Sequence, residues 1–252
     1  MITETAAPLI PAAMLARDIQ IFEYSKAANP IASGATPRIP IKEFPADLYE
    51  TGRTRIVPLD LSGDLRTPWL ATGPGLLASF VRIRAGESIR TAPNAGSQFV
   101  FVIRGQGRSE IGEGSIVWKA GDFIVLPGIE AVHHADEETA FYTVDDSPLF
   151  AYLGARKAEP RFQPALYTRE SVLAQLESAI NDPDAAKRSR VSVLLANRNF
   201  EQTMTISHTL WTMFGIVSPG TRQLPHRHQS VALDYVVDAK PGVYTLVGPE
   251  LN

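Results

Sequence analysis

The chain has 252 residues, of which 44% are hydrophobic, 20% charged and 8% aromatic, and a formal charge of -3; that composition excludes disordered and fibrous classes and suffices to bury a sizeable core. No basic footprint marks a nucleic-acid partner, no segment approaches the roughly 20 apolar residues of a membrane helix, and the start Met-Ile-Thr-Glu-Thr lacks a basic n-region. A cytoplasmic protein is expected. With no cysteine, disulfides, thiolate metal sites and a Cys nucleophile are excluded, which leaves imidazole and carboxylate as ligands.

Residues 1–66 mix short apolar runs with Pro30, Pro37, Pro40, Pro45 and Pro58, the texture of an irregular arm rather than a core element. From Leu76 onward, short β-like runs are cut by glycine turns: Leu77–Arg84 before Gly86, Gln98–Arg104 before Gly105 and Gly107, Ser115–Trp118 before Gly121, and Phe123–Leu126 before Gly128. Strands this short and this regularly spaced predict a sandwich or barrel over 67–156. Between 157 and 206 the period becomes helical. Thr168 is the expected N-cap of a helix through Ile180 carrying Val172, Leu173, Leu176 and Ile180 on one stripe, and Asp182-Pro183 is the expected start of a second helix reaching about Ala196. A new strand series opens at Leu210–Val217, so 207–252 reads as the beginning of another β unit.

Sliding the chain on itself by 134 residues aligns Gly86 with Gly220 and Phe101-Val102-Ile103 with Tyr235-Val236-Val237 without a gap. The chain is therefore read as duplicated. In the second copy Gly220 is followed by His226 and His228, and two residues at i and i+2 of a strand point to one face, where both imidazoles can reach one metal ion. The first copy has Ala92 and Asn94 at those positions and Gln98 four residues later, a poor set for a divalent ion. Asp234 shares strand phase with the two histidines. It is either an acceptor for a ligand's ring N–H or a simple satisfied polar group. Arg222, just after the glycine turn, is a candidate for attracting an acidic substrate. His133 and His134 are read as a buried histidine bonded to backbone, one of them alternatively a relic of a lost site; His208 is read as structural.

Glycine, five residues, His-x-His, then a Gly-x5-Pro block ending in histidine, is a pattern that resembles the cupin superfamily. The second copy matches at Gly220, His226 and His228 with Ala232 in place of the family's Glu; the first copy matches at Gly121 and Pro127, followed by His133 and His134. The phrases Pro225–Ser230, Tyr235–Val237, Gly242–Thr245 and Asp146–Gly154 look most like the gentisate 1,2-dioxygenase group, over most of residues 40–252. That group carries its iron in the first barrel, whereas the histidines here are in the second. The resemblance implies an all-β fold of tandem cupin (double-stranded β-helix) barrels: an arm over 1–66, a first barrel without metal ligands over 67–156, a helical connector over 157–206 and an incomplete second barrel over 207–252. It implies Fe(II), or another divalent metal such as Mn, Ni or Zn, held by His226, His228 and a third histidine expected beyond residue 252. It also implies a ring-cleaving dioxygenase acting on a hydroxylated aromatic acid and dioxygen, and a homo-oligomer. A cupin that binds a small ligand or a metal without redox chemistry is the alternative, because the fold alone does not decide the activity.

Overall fold

The computed structural model describes residues 7–185, 188, 190–227 and 229–248. Two units divide the chain. In the unit up to Arg38, helices α1 (Ala12–Leu15) and α2 (Tyr24–Ala27) are one turn each, and the carboxylate of Glu23 caps α2 by accepting from the Ser25 and Lys26 amides. Its residues 7–36 are all exposed, including Leu9, Ile21 and Phe22. The unit from Ile39 onward contains the β structure.

The short helices α3 (Asp47–Glu50) and α4 (Ser62–Leu65) flank strand β1 (Arg55–Pro58). Residues 39–66 are thus not an arm. Tyr49, Leu59, Leu61 and Leu65 are buried, and β1 pairs antiparallel with β2 (Leu77–Ile83) from Arg55↔Arg82 to Pro58↔Ser79. The proline that argued against a strand ends β1 at the sheet edge, where no ladder amide is needed.

Seven further strands follow: β3 (Ser88–Thr91), β4 (Ser97–Arg104), β5 (Gln106–Ile111), β6 (Gly114–Lys119), β7 (Phe123–Pro127), β8 (Ala131–Ala135) and β9 (Thr139–Asp145). With β10 (Ala165–Tyr167) they form a six-stranded sheet ordered β1-β2-β9-β4-β7-β10 and a four-stranded sheet ordered β3-β8-β5-β6, with every pairing antiparallel. Consecutive strands from β2 to β9 change sheet at every step except the β5–β6 hairpin, as in a jelly roll, the barrel type to which cupins belong. One barrel of the expected kind is formed, over 77–145.

The six-stranded sheet is apolar on both faces. Val81, Ile83, Val100, Val102, Ile124, Leu126 and Phe141 face the barrel interior with Trp118, whereas Phe80, Phe99, Phe101, Phe123, Val125 and Tyr142 face outward into a second core. Burial on both sides explains why these strands read as unbroken apolar runs instead of alternating ones. The four-stranded sheet does alternate: Gly107, Ser109, Ala131, His133 and Ala135 are buried, and Arg108, Glu110 and Val132 are not. Gly107 is required by close approach, since a Cβ there would lie 2.0 Å from the His134 carbonyl oxygen and 2.8 Å from the Trp118 ring.

Asp146 precedes helix α5 (Ser147–Leu153), and its carboxylate accepts from the Gly96 and Ser97 amides and the Thr209 hydroxyl. The expected helix is present as α6 (Arg169–Ile180), with the Thr168 hydroxyl accepting from the Ser171 amide. The second expected helix is not formed among the described residues of 190–196. Residues 191–195 instead form β11 (Val191–Leu195), paired with β12 (Thr212–Ile216), and residues 186, 187 and 189 of that stretch lie outside the described residues. Alternating Val191, Val193 and Leu195 favour a strand once a partner is available, and Val191 closes a small core with Leu176 and Ala185.

The described residues of 217–248 contain no helix or strand. Gly86 (φ +75°) and Gly220 (φ +72°) adopt the same left-handed turn, a conformation that glycine reaches without steric cost. Phe80, Phe99 and Phe101, and the residues 134 positions later, Phe214, Leu233 and Tyr235, all join the outer core.

Candidate functional site

Two places hold the chemistry-bearing residues, the interior of the barrel and the segment after Gly220. Inside the barrel the residues expected at the emptied ligand positions are only partly where the spacing puts them. Strand β3 ends at Thr91 and the chain bends over residues 94–96, and Ala92 and Asn94 are exposed rather than internal. The Asn94 amide donates to the Ala155 carbonyl at 3.0 Å and accepts from the Lys157 amide at 2.9 Å. Thr91 and Gln98 take the inward positions.

They meet His133, which is 1% exposed. Its Nε2 is 3.0 Å from Thr91 Oγ1 and its Nδ1 is 2.7 Å from Ser109 Oγ; the Trp118 indole donates to Ser109 at 2.8 Å and Thr91 donates to Gln98 Oε1 at 3.1 Å. One placement of protons uses every donor. Trp118 N–H goes to Ser109, the Ser109 hydroxyl to Nδ1, the Nε2 proton to Thr91 and the Thr91 hydroxyl to Gln98, which makes His133 a neutral Nε2–H tautomer. Burial, with a smaller contribution from neighbouring His134, pushes its pKa down from 6.5 to about 4. The partners are side-chain hydroxyls, not the backbone expected from the sequence. An imidazole committed at both nitrogens and enclosed by Trp118 and Phe141 has no lone pair to give a metal. Sequence reasoning missed Thr91 and Ser109 because a lone hydroxyl on a strand carries no motif.

His134 points the other way, with Nε2 3.2 Å from the Glu110 carboxylate. His208 packs edge-on against Phe200 at 4.6 Å between ring centroids. Each is fixed by its own neighbours rather than by another histidine.

In the segment after Gly220, Arg222, His226 and Asp234 are all exposed, and His228 lies outside the described residues. Val231, Leu233 and Tyr235 are half-buried while Ala232 and Asp234 are exposed, an alternation of period two. Asp234 is therefore on the side away from the barrel. Its carboxylate still acts on Tyr142, whose phenol is held above its ordinary pKa by burial first and by this charge second. Among the described residues no three His, Asp or Glu side chains converge as a metal set would. The described residues by themselves do not fit an iron ion. No described helix is long and apolar enough to cross a membrane.

No protein-family model and no curated protein matches the chain. Solved structures match in part. Salicylate 1,2-dioxygenase from Pseudoaminobacter salicylatoxidans, in an adduct with gentisate, is 17% identical over 56% of this chain and 33% of its own, with a TM-score of 0.37; its A85H mutant is 19% identical over 47% of this chain and 31% of its own, at 0.36. A cupin superfamily protein from Desulfitobacterium hafniense is 15% identical over 43% of this chain and 95% of its own, at 0.32. The chain spans about a third of the length of the dioxygenases it matches. The fold assignment rests on the strand order of the two sheets.

Proposed function

We propose that the chain serves a non-haem Fe(II) dioxygenase that opens the ring of a hydroxylated aromatic acid, with the jelly roll as an inert scaffold and His226 and His228 as iron ligands. The observation that carries this reading is the His226-x-His228 spacing behind Gly220, since residues at i and i+2 of an extended chain share one face. Asp234, on the same outward side as Ala232, is proposed as acceptor for a ligand's ring N–H, and Arg222 as the cation that draws the substrate carboxylate. A third ligand is required, since two imidazoles do not hold a divalent ion against water. Dioxygen, a homo-oligomer and a cytoplasmic location belong to the same proposal.

A second reading, a cupin that binds a small ligand or metal without redox chemistry, is favoured by the lack of a converged ligand set among the described residues. Oxygen uptake separates the two. Full-length protein loaded anaerobically with Fe(II) is expected to consume dioxygen with gentisate, salicylate or hydroxynaphthoate and to give ring-opened product by mass spectrometry. Bound metal without uptake on any of the three would favour the binding protein.

A further inference from the structure

Residues 217–248 have no strand ladder among the described residues, and side chains at alternate positions pack this segment on the barrel. Val231 fills a hollow left by Gly73, where an added Cβ would lie 3.1 Å from Val231 Cγ1. Leu233 joins the outer core. Tyr235 makes the densest set of contacts: its ring stacks on Tyr142 at 5.3 Å and 21°, lies 5.5 Å from Phe101 and 6.3 Å from Phe80, and its hydroxyl is 3.1 Å from that of Tyr49. Tyr235 and Phe101, which the 134-residue offset aligns, touch each other.

We infer that Tyr235 is the positioning residue for the segment carrying His226 and Asp234, setting its register on the outer face of the six-stranded sheet through the Tyr142 stack and the Tyr49 hydroxyl. A slip of one residue would drive the Asp234 carboxylate among Phe80, Phe101 and Tyr142, a burial that apolar surroundings oppose strongly. A slip of two preserves the alternation but brings Leu233 or Val237 to the Tyr49 hydroxyl, and neither can pair with it. Apolar contact therefore chooses the face, and the phenol chooses the register. The inference rests on the proposed function only for what the segment carries, not for how it is held.

The chain has no cysteine, so one engineered pair reports on this contact alone. The Cβ–Cβ separation between residue 73 and Val231 would be 3.7 Å, inside the disulfide range, and Gly73 does not need a positive φ. The full-length double variant Gly73→Cys/Val231→Cys is expected to oxidise to an intramolecular disulfide in most molecules, read by mass spectrometry after peptide digestion. Adding Tyr235→Ala should slow cross-linking at least tenfold at a temperature where circular dichroism shows the barrel still folded; Tyr235→Phe, which keeps the stack and loses the hydroxyl, should fall between the two. Failure of the pair to cross-link, or equal rates with and without Tyr235→Ala, would overturn the inference. In the same proteins iron content decides the other reading separately: wild type that binds no iron sinks the iron site, while the cross-linking rates still decide the role of Tyr235.

Discussion

Lowering the pH from 6.5 to 4 is expected to cost the folded chain about 3 kcal/mol at His133 alone, from a depression of the pKa from 6.5 to about 4. The sign follows from which state takes the proton. Above pH 6.5 the imidazole is neutral folded and unfolded and contributes no slope. Between 6.5 and 4 the unfolded chain binds a proton that the folded barrel refuses, so stability falls with pH; below about 4 both states are charged and the loss levels off. The barrel refuses the proton because Trp118, Phe141 and the apolar strands around His133 cannot solvate a cation, and because Ser109 already gives its hydrogen to Nδ1. Asp145, whose carboxyl is held above the usual range by burial, adds a pH dependence of its own, so the comparison must be with a variant that differs only at His133. Urea midpoints of wild type and His133→Gln at pH 7, 5.5 and 4.5 supply it. The wild type is expected to lose stability more steeply toward pH 4.5, and parallel curves would show that His133 is not the acid-labile group.

His226→Ala and His228→Ala are each expected to weaken Fe(II) binding by well over about a hundredfold, because removal of a mere orienting partner of a ligand already costs about 10–100-fold. Asp234→Asn, if Asp234 orients a ligand ring, falls in that lower band. Anaerobic equilibrium dialysis followed by elemental analysis reads all three. Equal iron in wild type and both alanine variants would remove the ligand assignment, while iron lost from the alanine variants but unchanged in Asp234→Asn would leave Asp234 as an ordinary polar residue.

The barrel was legible where burial on both faces writes itself into unbroken apolar runs, as in Phe99–Val102 and Phe123–Leu126. Strand β5 was not, because Gln106-Gly-Arg-Ser-Glu-Ile packs inward through a glycine and a serine, residues chosen to make room for Trp118 and to bond it. The stretch 191–195 was read as helix since its pairing with Thr212–Ile216 is a contact across some twenty residues that no local pattern contains. Spacing from Gly86 placed Ala92 and Asn94 inside the barrel; strand β3 ends before them, and Thr91 takes the buried position instead. Two pairs of residues 134 positions apart are related in the structure: Gly86 and Gly220 both have positive φ, and Phe101 meets Tyr235.

The division of labour between a silent barrel and a metal-bearing segment is tested most directly by diffraction at the iron edge from crystals of the full-length protein grown with Fe(II). The account predicts an anomalous peak within bonding distance of the His226 and His228 rings and none inside the jelly roll. A peak bonded to His133 Nε2 would contradict it, since that nitrogen would have to give up the proton it shares with Thr91.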